Sequence, residues 1–242
     1  MRNYIFLILI ISLIVYTSCD SELDNYNEPY TVWKGAILYQ GDTIRVAHDQ
    51  VRIELRQPGF ELNERSLNIP VTQNGEFNAV LFTGDYWINL KDGPYRPIII
   101  NESVLDTIKF TLVGDKSMNI NVIPYYLIRN PQFSLGNGMV KATCSVEQII
   151  KGENAREVEQ VRLFLNTTRF VSNVGSYNLD ARYYDEQELI PAKGDLSDLN
   201  DLSMSLILSN LDRTQNYLFA RIGLQIKDTE DWIFSPVEKL TF

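Results

Sequence analysis

Carboxylates are the side chains of this sequence best suited to acid–base chemistry. Glu186 and Glu188 lie close together, as do Asp228, Glu230 and Asp231. Glycoside hydrolysis needs only two carboxyl groups, roughly 5–9.5 Å apart, and they can come from anywhere in a chain. A chain of net charge −9 brings acidic neighbours together without any selection for chemistry. Small β-sandwiches rarely enclose a deep acid–base cleft, so no catalytic residue is expected. His48 is the single histidine, and no nucleophile is marked as its partner. It reads as a surface or turn residue. Cys144 alternates with apolar residues, as a buried inert thiol does. One histidine and one such cysteine fall short of the four ligands of a closed zinc site. Asp195, Asp198 and Asp201 are spaced i, i+3, i+6, without the alternating ligands and turn glycine of an EF-hand, and read as a solvated loop. No phosphate-cradling glycine loop or nucleophile elbow occurs. Neither a metal nor a cofactor is expected.

Aromatic residues offer binding chemistry instead, because a flat ring can cover the apolar C–H face of a pyranose. Trp33 shares its face with Ile37 and reads as core. Trp87 alternates oppositely to Tyr86, Ile88 and Leu90, which puts it beside Asn89 and Lys91 on the outer face. Trp232 follows the acidic hairpin residues Asp228 to Asp231, where exposure is expected. Trp232 is therefore the first candidate for a sugar platform and Trp87 the second. Asp228, Glu230 and Asp231 would accept hydroxyl hydrogen bonds around the first. The alternative role for either tryptophan is packing.

An uncharged apolar run from Tyr4 to Tyr16, preceded by Arg2, ends in Thr17-Ser18-Cys19. About a dozen apolar residues make a secretory h-region and fall short of the ~20 that span a bilayer. A small residue directly before a cysteine resembles a bacterial lipobox, which would remove residues 1–18 and leave Cys19 lipidated. The alternative is a plain signal peptide or N-terminal anchor. Residues 19–28 read as a tether, and the acidic cluster Asp20 to Asp24 resembles the export signal of surface lipoproteins of Bacteroidetes. The expected location is the outer membrane, lipid-anchored and facing the exterior. Scattered basic residues and an acidic balance exclude nucleic acid as a partner.

The elements that must hold these side chains are strands. Val51, Ile53 and Leu55 alternate with Arg52, Glu54 and Arg56, and Phe77, Ala79 and Leu81 follow the Asn74-Gly75 turn. Tyr86, Ile88 and Leu90, then Ile108, Phe110 and Leu112, then Met118, Ile120 and Val122 continue the pattern. After Pro124 a second series runs through Val140 to Val146, Val161 to Leu165, Met204 to Leu208 and the nearly continuous apolar stretch Tyr217 to Ile226. The stretch from Ser172 to Asp201 has the least pattern and reads as long loops. The expected architecture is all-β, with two tandem antiparallel β-sandwich domains, 29–123 and 124–242. Pro124 and Asn130-Pro131 break pairing between them, and each half is long enough to fold alone.

In the first half, Trp33-Lys34-Gly35-Ala36-Ile37, Gly75-Glu76-Phe77 and Gly84-Asp85-Tyr86-Trp87-Ile88 resemble transthyretin-like, carboxypeptidase-regulatory-like modules. In the second, expected to be Ig/fibronectin-III-like, Val161 to Val171 and Tyr217 to Gly223 stand out. Together these segments resemble a Bacteroidetes outer-membrane lipoprotein family encoded beside SusC- and SusD-type glycan-uptake proteins. The resemblance implies a non-catalytic surface lipoprotein accessory to SusC/SusD-type glycan capture, with glycan and that complex as its partners. The competing class is an adhesin or scaffold that docks on an outer-membrane complex without binding sugar. Asp42-Thr43-Ile44 and Asp106-Thr107-Ile108 also resemble O-glycosylation acceptors of exported Bacteroidetes proteins.

Overall fold

A computed structural model describes residues 27–59, 66–90, 93–96, 99–100, 103–104, 107–179, 193–208, 216–229 and 231–242. Cys19, the acidic cluster after it, Asp106, Glu186, Glu188 and Glu230 lie outside the described residues. The chain is all-β and its sheets are antiparallel, apart from two short parallel pairings on the first strand.

In the N-terminal half, β1 (Thr31–Tyr39) pairs with β4 (Glu76–Leu81), Gly35 opposite Phe77. A second sheet runs in the order β6 (Ile108–Leu112), β5 (Gly84–Leu90), β2 (Arg52–Arg56), β3 (Leu67–Pro70). Period-two alternation supplies the core between them: Trp33, Ile37 and Phe77 from one sheet, Ile53, Leu55, Tyr86 and Ile88 from the other, all buried. The Trp33 ring stacks on Phe110 at 5.1 Å and meets Phe77 at 4.5 Å. Gly35 is required here by close approach, since a Cβ at that position would lie 2.0 Å from the Met118 carbonyl oxygen.

In the C-terminal half, β7 (Tyr126–Gly136), β8 (Met139–Gln148) and β10 (Leu202–Ile207) form one sheet. The other is built around β11 (Tyr217–Ile226), which pairs with β9 (Val158–Asn166), β12 (Trp232–Phe234) and β13 (Glu238–Thr241). Asn137 and Gly138, both at positive φ, make the tight turn between β7 and β8, the conformation that an Asn-Gly pair favours.

Two expectations about proline need correction. Asn130-Pro131 does not interrupt the sheet, because it lies inside β7 as a bulge between Arg129 and Gln132, with Asn130 at φ 50°. β7 is an edge strand, and a bulge there tolerates the missing N–H. Nor does pairing stop at Pro124, which lies opposite Tyr95 while the Tyr125 N–H donates to the Pro94 carbonyl. A proline forfeits one donor, and its carbonyl and neighbours still pair.

The two halves share one hydrophobic cluster that runs from Trp33 to Leu240. A second, smaller cluster sets Ala47 of the first half against Phe164, Val171, Trp232 and Phe234 of the second.

Candidate functional site

The outward face of the β6-β5-β2-β3 sheet carries Trp87, which is 38 % exposed. Strand register puts Lys109 beside it on one side and Arg56 on the other. The Lys109 ammonium sits 4.6 Å from the ring centroid, a cation–π contact on a flexible stem. The same face holds Asp85 and Thr111, joined by a 2.6 Å hydrogen bond from the threonine hydroxyl. Alternation predicts an exposed Glu54, yet it is only 8 % exposed. It accepts from Arg56 at 3.1 Å and from Ser66 at 2.8 Å, because a buried carboxylate needs such partners. Trp87 is thus an accessible indole at the centre of a sheet face furnished with carboxylate, amide, hydroxyl and cationic groups.

Trp232 is different, and the expectation of an exposed platform there is wrong. It is 5 % exposed, at the start of β12, with its ring 5.3 Å from Phe164 and 5.9 Å from Phe234. The preceding turn is polar because it is a turn. The next residue re-enters the sheet and buries its ring between the halves of the molecule. The carboxylates around it also part company. Asp231 lines a cleft between the two halves, whereas Asp228 lines a shallow polar depression with Glu157, Glu159 and Lys227. Trp87 and Trp232 do not form one site.

The cleft beside Asp231 was not legible in the sequence. It encloses about 750 Å³ between Ala47 to Gln50 of the first half and Asn173 to Tyr177 of the second. His48, expected at the surface, is half-buried in its wall, with its ring 5.2 Å from Phe170 and 6.3 Å from Tyr177. Gln50 accepts from the Ala47 N–H, and Asp49 accepts two hydrogen bonds from Arg52, at 3.0 and 2.7 Å, which hold its carboxyl below the usual carboxylate range.

Arg221 braces both walls. This residue, in the middle of the apolar run of β11, is fully buried. Its guanidinium donates to the carbonyls of Ser235 (2.8 Å), Val46 (3.1 Å), Val171 (3.1 Å) and Gln73 (2.6 Å), and lies 4.4 Å from the Phe234 ring. Val46 and Gln73 belong to the first half, Val171 and Ser235 to the second. Burial, with Arg45 nearby, pulls its pKa down to about 9, so it stays charged at neutral pH. Gln73 adds a second tie, donating to the Arg169 carbonyl and accepting from the Val171 N–H. The only sequence signal was an arginine inside a strand otherwise apolar enough to be central.

The remaining candidates behave as structural groups. Cys144 is buried. Asp195 and Asp198 each accept from backbone N–H groups two residues on, at Ser197 and Asn200. Among the described residues no cluster of His, Cys, Asp and Glu could hold a metal. Thr43 is half-buried in a short strand paired to β1, and Asp42 of the same motif is bridged by Arg129 at 2.5 Å.

A family model described as "Protein of unknown function (DUF3823) N-terminal domain" matches residues 31–123, and one described as "Domain of unknown function (DUF3823_C)" matches 126–239. A DUF3823 family protein from Parabacteroides merdae is 26 % identical, with a TM-score of 0.70 over 89 % of this chain and 100 % of its own. One from Bacteroides ovatus is 22 % identical, with a TM-score of 0.66 over 87 % of this chain and 98 % of its own. A protein from Bacteroides uniformis called "a putative carbohydrate binding protein" is 19 % identical, with a TM-score of 0.70 over 89 % of this chain and 100 % of its own; at that identity it shares the fold. No curated protein matches. With matches to both domain models of one family and to solved members along nearly its whole described length, the chain belongs to the DUF3823 family.

Proposed function

We propose that the protein is a non-catalytic, carbohydrate-binding surface lipoprotein that retains glycan for a SusC/SusD-type uptake complex. One observation carries the reading: the exposed ring of Trp87 at the centre of a polar sheet face. A pyranose offers an apolar C–H face and a rim of hydroxyls, and an indole surrounded by Asp85, Asn89, Lys109 and Arg56 complements both. The face is open and its carboxylates are engaged, Asp85 by Thr111 and Glu54 by Arg56 and Ser66, which suits retention better than acid–base turnover. The fold shared with the Bacteroides uniformis protein supports the same ligand class. The lipobox-like Ser18-Cys19 ending and the acidic residues after it support the surface location, and the resemblance of the chain's segments to uptake-linked lipoproteins supports the partner.

Trp87→Ala is expected to weaken glycan binding by roughly 1–3 kcal/mol, ~5- to 150-fold in Kd, with little change in melting temperature. Undiminished affinity of that variant for a glycan the wild type binds would remove the platform. The anchor is tested separately. Cys19→Ser should release the protein from membranes, and proteinase K should remove the wild type from intact cells; protection there would assign it to the periplasmic side.

A scaffold role without sugar draws on Tyr30, Phe82 and Val113, which are 70, 45 and 78 % exposed. Strand register brings the segments after β4 and β6 together at one end of the first half, near the entry to β1, where Tyr30 and Thr83 hydroxyls lie 3.5 Å apart. If Phe82→Ser abolishes copurification of the partner complex while Trp87→Ala leaves it and glycan retention intact, that reading takes precedence.

A further inference from the structure

We infer that the interdomain cleft around His48 is a second carbohydrate subsite, taking the end of a glycan chain whose preceding units lie on the Trp87 face; this rests on the carbohydrate-binding reading above. The cleft's volume of about 750 Å³ falls within the ~300–1,000 Å³ of small-molecule sites, which favour domain interfaces. Its walls match a sugar on two counts. His48 and Tyr177, with Phe170 only 5.2 Å from the imidazole and 5.7 Å from the phenol ring, form an aromatic corner for a C–H face. Gln50, Asn173 and Asp231 supply amides and a carboxylate for hydroxyls. A phosphate ligand would meet the carboxylates of Asp49 and Asp231, and among the described residues no lysine or arginine lines the cleft.

Two polar atoms in this wall have unmet needs. The His48 Nδ1 and Gln50 Nε2 are buried with no hydrogen-bond partner among the described residues. An unpartnered buried polar atom loses the hydrogen bonds that water gave it, and a hydroxyl, which both donates and accepts, satisfies either kind.

The two sites are joined by β2. Asp49 lines the cleft and pairs with Arg52, and Arg52, Glu54 and Arg56 alternate along the outer face until Arg56 lies opposite Trp87. At ~3.3 Å per residue, Arg52 to Arg56 spans about 13 Å, so an extended oligosaccharide can reach from the ring to the cleft. Arg221 fixes the walls in advance, holding the carbonyls of Val46 and Val171 from one guanidinium. Preorganisation of this kind lowers the cost of ordering a site around its ligand.

His48 is the only histidine, so its imidazole C–H signals in a proton NMR spectrum report on the cleft without assignment. Trp33 and Trp232 are buried, and the part of any fluorescence change on ligand addition that Trp87→Ala abolishes reports on Trp87. The full chain, in a detergent without a sugar head group, would be titrated with xylohexaose, maltohexaose and mannohexaose and with the matching disaccharides. A hexaose that binds should shift the His48 signals and quench Trp87 together, and its disaccharide should bind more weakly. Asn173→Ala and Asp231→Asn should each weaken hexaose binding by about fivefold or more without lowering the melting temperature. A hexaose that quenches Trp87 but leaves His48 unmoved, or binds both cleft variants at full strength, overturns the cleft and leaves the platform. His48 shifts that survive Trp87→Ala at full affinity uphold the cleft and overturn the platform. No response from either reporter to any hexaose overturns both.

Discussion

Cys144 shares the inward face of β8 with Val140, Ala142 and Val146, all buried, and burial pushes its thiol up to about 12 from an ordinary 9. The folded state therefore keeps its proton where the unfolded chain would lose one. The stabilisation is complete below pH 9 and is lost as pH rises from about 9 through about 12. In the Cys19→Ser protein, where Cys144 is the only thiol, a disulfide reagent at pH 8 should label it only after denaturant is added. Fast labelling of the native protein would show an accessible thiolate. Alternation along β8 was enough to read this residue, since four inward positions in a row leave little choice of face. The same logic placed Trp33 and Trp87 on opposite sides of their sheets. Trp232 escaped it because only the charge of the preceding turn marked that residue as exposed. A turn's polarity describes the turn and says nothing about which way the next strand points.

At the scale of elements, strands were legible wherever one face meets a core and the other meets water. β2, β4, β5 and β8 lie where the alternation put them. β9 shows the limit. Val161, Leu163 and Leu165 are buried as expected, and Phe164 on the opposite face is buried as well. That face packs against Trp232 and Phe234, which arrive some 70 residues later. A period along one strand records how many faces are apolar, and the partner of the second face is a tertiary fact. Gly223 shows the same thing from β11: a Cβ there would lie 2.6 Å from the Phe234 ring and 2.8 Å from the Phe164 ring. Glu54 and His48 also escaped the pattern, because both are set by neighbours from other strands and loops. The bulge at Asn130-Pro131 is a local signal that the breaker rule misassigned. The rule is sound for central strands and fails on an edge, where the lost N–H faces outward.

For the molecule as a whole, the question is whether two family domains make two cooperative units. Residues 31–123 and 126–239 match separate models, and their strand patterns invite separate folding. The contacts between them argue for one unit. A single buried guanidinium holds carbonyls of both halves, Gln73 repeats the tie, and Ala47 closes an apolar cluster otherwise built from the second half. The Arg129 bridge to Asp42 and Glu147 is half-exposed and adds little beside these. Removing Arg221 would leave four buried carbonyls without their donor and an emptied interface. Arg221→Leu should therefore cost about 3–5 kcal/mol. Arg221→Lys should recover only part of that, because one ammonium cannot span a planar fork of acceptors. Wild-type protein should melt in one calorimetric transition whose van't Hoff and calorimetric enthalpies agree. In Arg221→Leu the transition should move down by many degrees or split in two. Two resolved transitions in the wild type, or an Arg221→Leu variant as stable as its parent, would show that the halves fold independently and that the guanidinium only decorates their contact. In that case the cleft walls would be free to move apart, and the joined path from Trp87 to His48 would lose its rigid frame.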